Sequence, residues 1–167
     1  MTKKPVSNVG ASVRQRLLNL RDKTGEDFNV LLTQFAIERF LYRLSQSSLS
    51  ERFVLKGAML FRVWFGSLHR PTKDLDLLGF GELTPDSVTA MVSHIIATTV
   101  EDDGITFDED SVQAEEIREN DDYGGIRATF TAKLDTAIIP LQVDVGFGDA
   151  ITPAAEDRTY PALVGMA

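Results

Sequence analysis

Two aspartates separated by a single leucine lie in an apolar segment, residues 73–78, where their spacing suits metal or acid–base chemistry. In a β-strand, residues two apart point to the same side, so Asp74 and Asp76 would present both carboxylates on one face, about 6.5 Å apart along the chain. Leu75 and Leu77 would then face the core. The segment is therefore predicted to be a strand with one buried face and one acidic face.

A third aspartate, Asp144, stands in a second alternating segment, residues 138–147. Its neighbours Val143 and Val145 are apolar, so the Asp144 side chain is predicted to face away from the core. Neighbouring strands lie about 4.8 Å apart, and the three carboxylates would converge on one patch if the two segments pair directly. Such carboxylates repel one another, and the patch would favour a hard cation such as Mg²⁺.

A glycine turn lies upstream of these aspartates, because Gly57 follows a short predicted strand over 52–56 and precedes a predicted helix over 58–65. Glycine lets the backbone approach a phosphate closely, and the N-terminus of the following helix favours anions. Together with bound metal ions, such a turn is typical of a phosphoryl-transfer site. Each part also has a plainer interpretation: a solvated strand edge for the aspartates, an ordinary turn for Gly57, and a structural domain with incidental aspartates for the whole.

The remaining patterns describe the elements that must position these residues. Apolar spacing predicts amphipathic helices over 9–23, 28–46 and 84–100. Alternation predicts strands over 111–118, 126–134 and 138–147, with a turn over 120–125 and a hairpin turn over 135–137. The expected fold is one α/β (α+β) domain with a mixed β-sheet and flanking helices. The acidic groups 101–103 and 108–110 lack the spacing of a calcium-binding loop and are predicted to be solvated loops.

The composition narrows the class of protein. The 167 residues carry a net charge of −8, and the chain has no cysteine, which excludes disulfides, thiolate zinc sites and a cysteine nucleophile. The charge is uneven, since residues 1–73 sum to +8 and the rest to −16. The basic part suits either a phosphate backbone or solvated helix faces. No signal peptide or membrane-length apolar run is recognised, so a cytoplasmic protein is expected.

Longer motifs resemble a known family. The segments LKGAMLFR (55–62), RPTKDLDL (70–77), YGGIR (123–127) and DVGFGD (144–149) are similar to the nucleotidyltransferase toxins of the AbiEii/AbiGii type. These toxins belong to the DNA polymerase β-like nucleotidyltransferase superfamily. The resemblance spans residues 10–165 and implies a nucleotidyltransferase-like core.

The resemblance also implies roles for individual residues. Gly57 and Ala58 would bind the nucleotide phosphates, and the basic residues Lys56, Arg70 and Lys73 would hold the triphosphate. The metal-binding and catalytic carboxylates would be Asp74, Asp76 and Asp144. The family further implies Mg²⁺, with Mn²⁺ as an alternative, a nucleoside triphosphate donor and an RNA acceptor such as the 3′ end of tRNA. A cognate antitoxin is expected, because these toxins act in bacterial toxin–antitoxin or phage-defence systems.

Two departures from the family pattern shape the expected organisation. Ala58 stands where relatives usually have serine or a second glycine, and relatives continue beyond residues 160–163 into a helical C-terminal lobe, whereas this sequence ends at Ala167. We expect an N-terminal helical segment, residues 1–50, packed on a catalytic domain over 51–167. The alternative is a non-catalytic, truncated module that binds a nucleotide or an antitoxin. The sequence does not decide whether Glu115, Glu116 and Arg127 flank the site.

Overall fold

The computed structural model describes residues 8–57, 59–60, 63, 74–81, 83–119, 123–147 and 157–164.

Two N-terminal helices begin and end at recognisable capping residues. Helix α1 (Val9–Thr24) begins after Asn8, whose side chain accepts a hydrogen bond from the Ala11 amide, and it ends at Gly25 with a φ of 77°. Helix α2 (Phe28–Gln46) begins after the cap Asp27 and is buried along most of its length. Both helices agree with the predicted bounds.

The third helix is shorter than its sequence pattern suggested. Helix α3 (Pro85–Ile96) begins with a capping box between Thr84 and Ser87, but it ends four residues before the predicted end at Val100. The next residues are Ala97-Thr98-Thr99-Val100, and β-branched side chains of this kind lose rotamer freedom in a helix. The predicted end was therefore wrong because a β-branched run stops the helix.

Within the described residues, five strands form one mixed sheet, which confirms the predicted sheet type. The strands are β1 (Phe53–Lys56), preceded by a 3₁₀ turn over Ser50–Arg52, β2 (Asp74–Gly79), β3 (Ile105–Glu119), β4 (Tyr123–Leu134) and β5 (Ala137–Phe147). Their order across the sheet is β1-β2-β5-β4-β3. Strands β2 and β5 are parallel, whereas the other neighbouring pairs are antiparallel. The central pair therefore joins two segments that are far apart in sequence.

Two predicted strand boundaries were wrong. Strand β3 begins at Ile105 rather than at 111, and the predicted turn over 120–125 already belongs to β4 from Tyr123 onward. An irregularity between Asp108 and Gln113 interrupts the β3–β4 register, and it breaks the alternation that would have revealed the strand. The acidic group 108–110 lies on this exposed bulge rather than in a separate loop.

The helices cover one face of the sheet and leave the other polar. Leu75, Leu77 and Val143 are at most 2% exposed and share a single hydrophobic core with residues of α1 and α2 such as Leu17 and Phe35. Residues 157–164 return to α2. There the backbone amide of Leu163 donates a 2.7 Å hydrogen bond to Oε1 of the buried residue Glu38. No helix in the described residues is long and apolar enough to cross a membrane.

A buried ion cluster ties α2 to the loop before β3, and this corrects the prediction that residues 101–103 are a solvated loop. Asp103 is 2% exposed, and both of its carboxylate oxygens accept hydrogen bonds from Arg43, at 2.8 and 3.1 Å. Arg39 donates a further bond of 2.7 Å. Burial alone would raise the pKa of Asp103, but the hydrogen bonds and charges of Arg43 and Arg39 outweigh it and lower that pKa below 3.8. A carboxylate can be buried here because two guanidinium groups replace its water.

Candidate active site

Strand β2 presents both aspartates on one face, as the sequence pattern predicts. Leu75 and Leu77 are buried in the core, whereas Asp74 is exposed and Asp76 is half-buried on the opposite face. The two-residue repeat of an extended strand is sufficient to explain this arrangement. Both carboxylates therefore belong to the sheet face that the helices leave uncovered.

The third aspartate lies directly beside them. The parallel register between β2 and β5 pairs Asp76 with Asp144 and Asp74 with Gln142. The condition set by the sequence, that the two aspartate-bearing strands are neighbours, is therefore met. Adjacent strands are separated by about 4.8 Å, so Asp76 and Asp144 share one small area of the open face.

Charged residues continue this pairing across all five strands. The strand registers align one charged residue from each strand in a single row from the β1 edge to the β3 edge. The row contains two cations and three anions, in the order Lys56, Asp76, Asp144, Arg127 and Glu115. We call these five residues the charged row. The row answers the question that the sequence left open for Arg127 and Glu115, which both flank the aspartates. Glu116 pairs instead with buried Ile126 and lies outside the row.

Arg127 engages Asp144 with both ends of its guanidinium. Its Nε donates to Oδ1 at 2.9 Å and its terminal nitrogen donates to Oδ2 at 3.2 Å. The hydrogen bond to Asp144 raises the pKa of Arg127 above its usual range, and the charges of Asp144, Asp74 and Glu115 add to the increase, whereas burial acts against it. Arg127 thus partly neutralises the acidic part of the charged row.

The Gly57 turn lies against Asp76. Gly57 has a φ of 74°, and a Cβ at this position would lie 2.5 Å from Asp76 Oδ2. A residue with a side chain would therefore be strained by its backbone and would also collide with the carboxylate. The amide of Leu60 donates to the Gly57 carbonyl at 3.1 Å, which is the start of the helical turn containing Met59 and Leu60. The turn and the carboxylate form one continuous surface.

A second glycine makes room for the lysine of the charged row. A Cβ at Gly146 would lie 2.6 Å from Lys56 Nζ, so the ammonium group reaches from the sheet edge across β2 to β5. Gly146 is two residues beyond Asp144 and lies on the same face. Lys56 therefore places a positive charge beside the aspartates, as expected for a residue that binds phosphate. Sequence reasoning did not identify Gly146, because its role depends on a side chain from another strand.

Three of the predicted site residues, Ala58, Arg70 and Lys73, lie outside the described residues, as does His69. The other histidine, His94, is an exposed residue of α3. Its Nε2 shares a 3.1 Å hydrogen bond with the hydroxyl of Ser48, and it is not part of the charged row.

The donor set suits a hard cation, although the side chains do not already form a three-residue cluster. Within the described part of the chain, no three His, Cys, Asp or Glu side chains are grouped closely enough to hold a metal ion. In addition, Arg127 donates to both oxygens of Asp144. Mg²⁺ usually binds one or two protein carboxylates and completes its shell with water and phosphate oxygens, so the aspartates of β2 supply suitable ligands.

Comparison with known proteins places the chain in a family. The model of the AbiEii family, described as nucleotidyl transferase AbiEii toxin of a type IV toxin–antitoxin system, matches residues 39–167. This match includes every residue of the charged row and the Gly57 turn. No curated protein matches the chain.

Two solved structures are similar in part. A protein assigned as a nucleotidyltransferase from H. pylori is 16% identical, with 77% of this chain and 49% of that chain covered and a TM-score of 0.47. JHP933 from Helicobacter pylori is 15% identical, with 74% and 46% covered and a TM-score of 0.44. The chain therefore spans about half the length of each of these two proteins.

Proposed function

Because the chain belongs to the AbiEii family of nucleotidyltransferase toxins, we propose that it is a Mg²⁺-dependent nucleotidyltransferase. In this proposal it transfers a nucleotide from a nucleoside triphosphate to an RNA acceptor, such as the 3′ end of tRNA. The observation that carries the proposal is the register that pairs Asp76 with Asp144 on the open face, directly beside the Gly57 turn.

The donor triphosphate would lie over the β1 edge of the site. Gly57 offers a backbone turn without a side chain, and it precedes a helical turn, whose N-terminal end would favour anions. Lys56 adds a positive charge beside the aspartates. By sequence, Ala58, Arg70 and Lys73 complete the phosphate-binding set.

The carboxylates of Asp74, Asp76 and Asp144 would hold the ion. They are hard oxygen donors on one face of a rigid sheet, which suits Mg²⁺ or Mn²⁺. When bound, the ion would neutralise negative charge on the reacting phosphate and on the leaving pyrophosphate. The Gly57 turn supports this assignment, since it brings the phosphate-binding backbone into contact with Asp76.

The reaction itself requires positioning and one proton transfer. The acceptor hydroxyl oxygen forms a bond to the α-phosphorus, the bond from that phosphorus to the bridging oxygen breaks, and pyrophosphate leaves. In this scheme Asp144 would accept the hydroxyl proton, and the two hydrogen bonds from Arg127 hold its carboxylate in a defined orientation. Arg127 is a positioning residue in this scheme.

One observation favours a second function, that of a non-catalytic module that binds a nucleotide or an antitoxin. Both oxygens of Asp144 are engaged by Arg127, which leaves the third carboxylate committed to an ion pair. In either case a cognate antitoxin is the expected protein partner, because the family is described as toxins of a toxin–antitoxin system.

Transfer of label separates the two functions. The 167-residue chain is incubated with tRNA, Mg²⁺ and each labelled nucleoside triphosphate in turn, alongside Asp76→Asn and the control Asp86→Asn, an exposed change on α3. We expect label on the RNA with the unmodified chain and the control, and at least about a hundredfold less with Asp76→Asn. Nucleotide binding without transfer would support the non-catalytic module instead.

A further inference from the structure

A groove with a mixed apolar and polar lining extends from Asp74 across the open face of the sheet, next to the charged row. Its volume is about 380 Å³, within the range of small-ligand sites, roughly 300–1,000 Å³. It runs over β5, β4 and β3, on the side of Asp74 away from β1. The lining residues on which the argument depends are Asp74, Gln113, Thr129, Thr131, Pro140 and Gln142.

Uncharged hydrogen-bonding groups form the centre of this groove. The strand registers align Gln113 with Thr129, Thr129 with Gln142, and Gln142 with Asp74. In the described part of the chain, the side chains of Gln113, Thr129 and Gln142 take part in no hydrogen bond with the protein. Three neighbouring amide and hydroxyl groups are therefore available to a ligand on the solvent side of the sheet.

The lining favours a nucleoside over a phosphate. Among the described residues no lysine or arginine lines the groove, and the one charged residue, Asp74, is negative, so these residues offer a phosphate group no attraction. Amide and hydroxyl side chains match the hydroxyl groups of a ribose and the polar edge of a base. The ring of Pro140, exposed beside Thr131, supplies an apolar surface next to them.

Position in the fold distinguishes the acceptor from the donor. The strand order puts the aspartates of β2 between the Gly57 turn on the β1 side and the groove on the β5–β4–β3 side. In phosphoryl transfer the attacking and leaving oxygens lie roughly in line on opposite sides of the phosphorus. If the leaving pyrophosphate lies at the Gly57 turn, the attacking hydroxyl must approach from the groove.

We propose that this groove binds the 3′-terminal nucleoside of the RNA acceptor, with Thr129 and Gln142 as the residues that recognise it. The inference rests on the proposed transferase function, because the direction of attack is taken from that reaction. The terminal hydroxyl would then lie beside the carboxylates, and an RNA that ends in a 3′-phosphate would be repelled by Asp74.

Equilibrium binding tests the proposal without requiring turnover. The probes are a short, fluorescein-labelled single-stranded RNA ending in a 3′-hydroxyl, the same RNA ending in a 3′-phosphate, and a non-hydrolysable nucleoside triphosphate. The proteins are the unmodified chain, Thr129→Val combined with Gln142→Met, and the control Thr106→Val. Thr106 is exposed on the same sheet face but outside the groove. Thermal denaturation verifies that each variant is folded.

We expect the double variant to bind the 3′-hydroxyl RNA about fivefold or more weakly and to lose the preference over the 3′-phosphate RNA. Its affinity for the triphosphate should change by less than about twofold, and Thr106→Val should change neither. Weaker binding of the triphosphate with unchanged RNA binding would overturn the proposal and place the donor nucleoside in the groove. Absence of RNA binding by the unmodified chain would also overturn it.

These outcomes are separable from failure of the proposed function. RNA binding that depends on Thr129 and Gln142, without any label transfer by the unmodified chain, would contradict the transferase function and leave the groove as an RNA site. If the unmodified chain transfers label but the double variant binds RNA with unchanged affinity, the transferase function would be supported and the groove would not be the RNA site.

Discussion

Arg127 and Asp144 form a two-point ion pair at the centre of the open sheet face, with bonds of 2.9 and 3.2 Å. Asp76, directly across the strand pair, lies instead against the Gly57 turn. The two neighbouring carboxylates therefore have different surroundings, since Asp144 is held by a guanidinium and Asp76 lies close against a backbone turn. This asymmetry determines how substitutions at the site should behave.

Removing the guanidinium should have opposite effects on stability and on cation binding. In Arg127→Gln, loss of the ion pair should lower the free energy of unfolding by about 1 kcal/mol without divalent ions, since the pair is partly exposed. With the Asp144 carboxylate released from Arg127, the site should then bind Mn²⁺ at least about fivefold more tightly. Thermal denaturation over a Mn²⁺ titration measures both effects. Arg118→Gln, an exposed change on β3, is the control, and equal cation responses in the two variants would contradict this role for Arg127.

Divalent cations should stabilise the chain through the aspartates of β2. Mg²⁺ or Mn²⁺ should raise the melting temperature, because an ion that binds the folded state shifts unfolding by mass action. Asp74→Asn should remove most of this increase, and Asp74→Asn combined with Asp76→Asn should abolish it. If the double variant responds like the unmodified chain, the ions bind elsewhere, for example at the acidic residues 101–110.

The Gly57 turn should tolerate a side chain less well than another glycine with the same backbone conformation. Gly25 has a φ of 77°, and a Cβ added there would have nothing within 4 Å, so Gly25→Ala should cost only the backbone strain, about 1 kcal/mol. Gly57→Ala adds the collision with Asp76 and should cost about 1–2 kcal/mol more. Denaturant unfolding of both variants gives the difference, and equal losses would show that the contact with Asp76 is relaxed without cost.

The buried cluster around Asp103 should make stability fall in acid. The pKa of Asp103 is lowered in the folded state, so the cluster stabilises the protein fully above the unfolded pKa of about 3.9 and loses that contribution as the pH falls through the folded value. Asp103→Asn should lower the free energy of unfolding at pH 7 by about 3–5 kcal/mol, since it leaves two guanidinium groups without their carboxylate. It should also reduce the acid dependence below about pH 4.

Asp102→Asn is the matched control for this prediction. Asp102 is exposed and accepts one hydrogen bond from the Gly104 amide, at 2.9 Å. Its replacement should change stability by less than about 1 kcal/mol. Urea unfolding between pH 3 and pH 7 compares the two variants, and similar losses would show that burial of Asp103 is not what stabilises the loop.

Local patterns in the sequence were sufficient for the helices α1 and α2, for most of the strand segments and for the shared face of Asp74 and Asp76. These features depend on the 3.6-residue and two-residue repeats of the backbone and on capping side chains, all of which involve neighbouring residues. Some boundaries predicted from these patterns were wrong. The start of β3 was missed because a bulge interrupts the alternation, and the end of α3 was placed too late.

Pairings between distant residues were decided by the tertiary structure. The sequence presented Asp144 as a third carboxylate only on condition that β5 lies beside β2, and it offered no way to choose Asp144 as the partner of Arg127. It also predicted Asp103 to be solvated, because a run of acidic residues usually is, whereas two arginines from α2 bury it. Strand order and ion pairing depend on which surfaces meet in the packed core, and no local repeat of the chain encodes that choice.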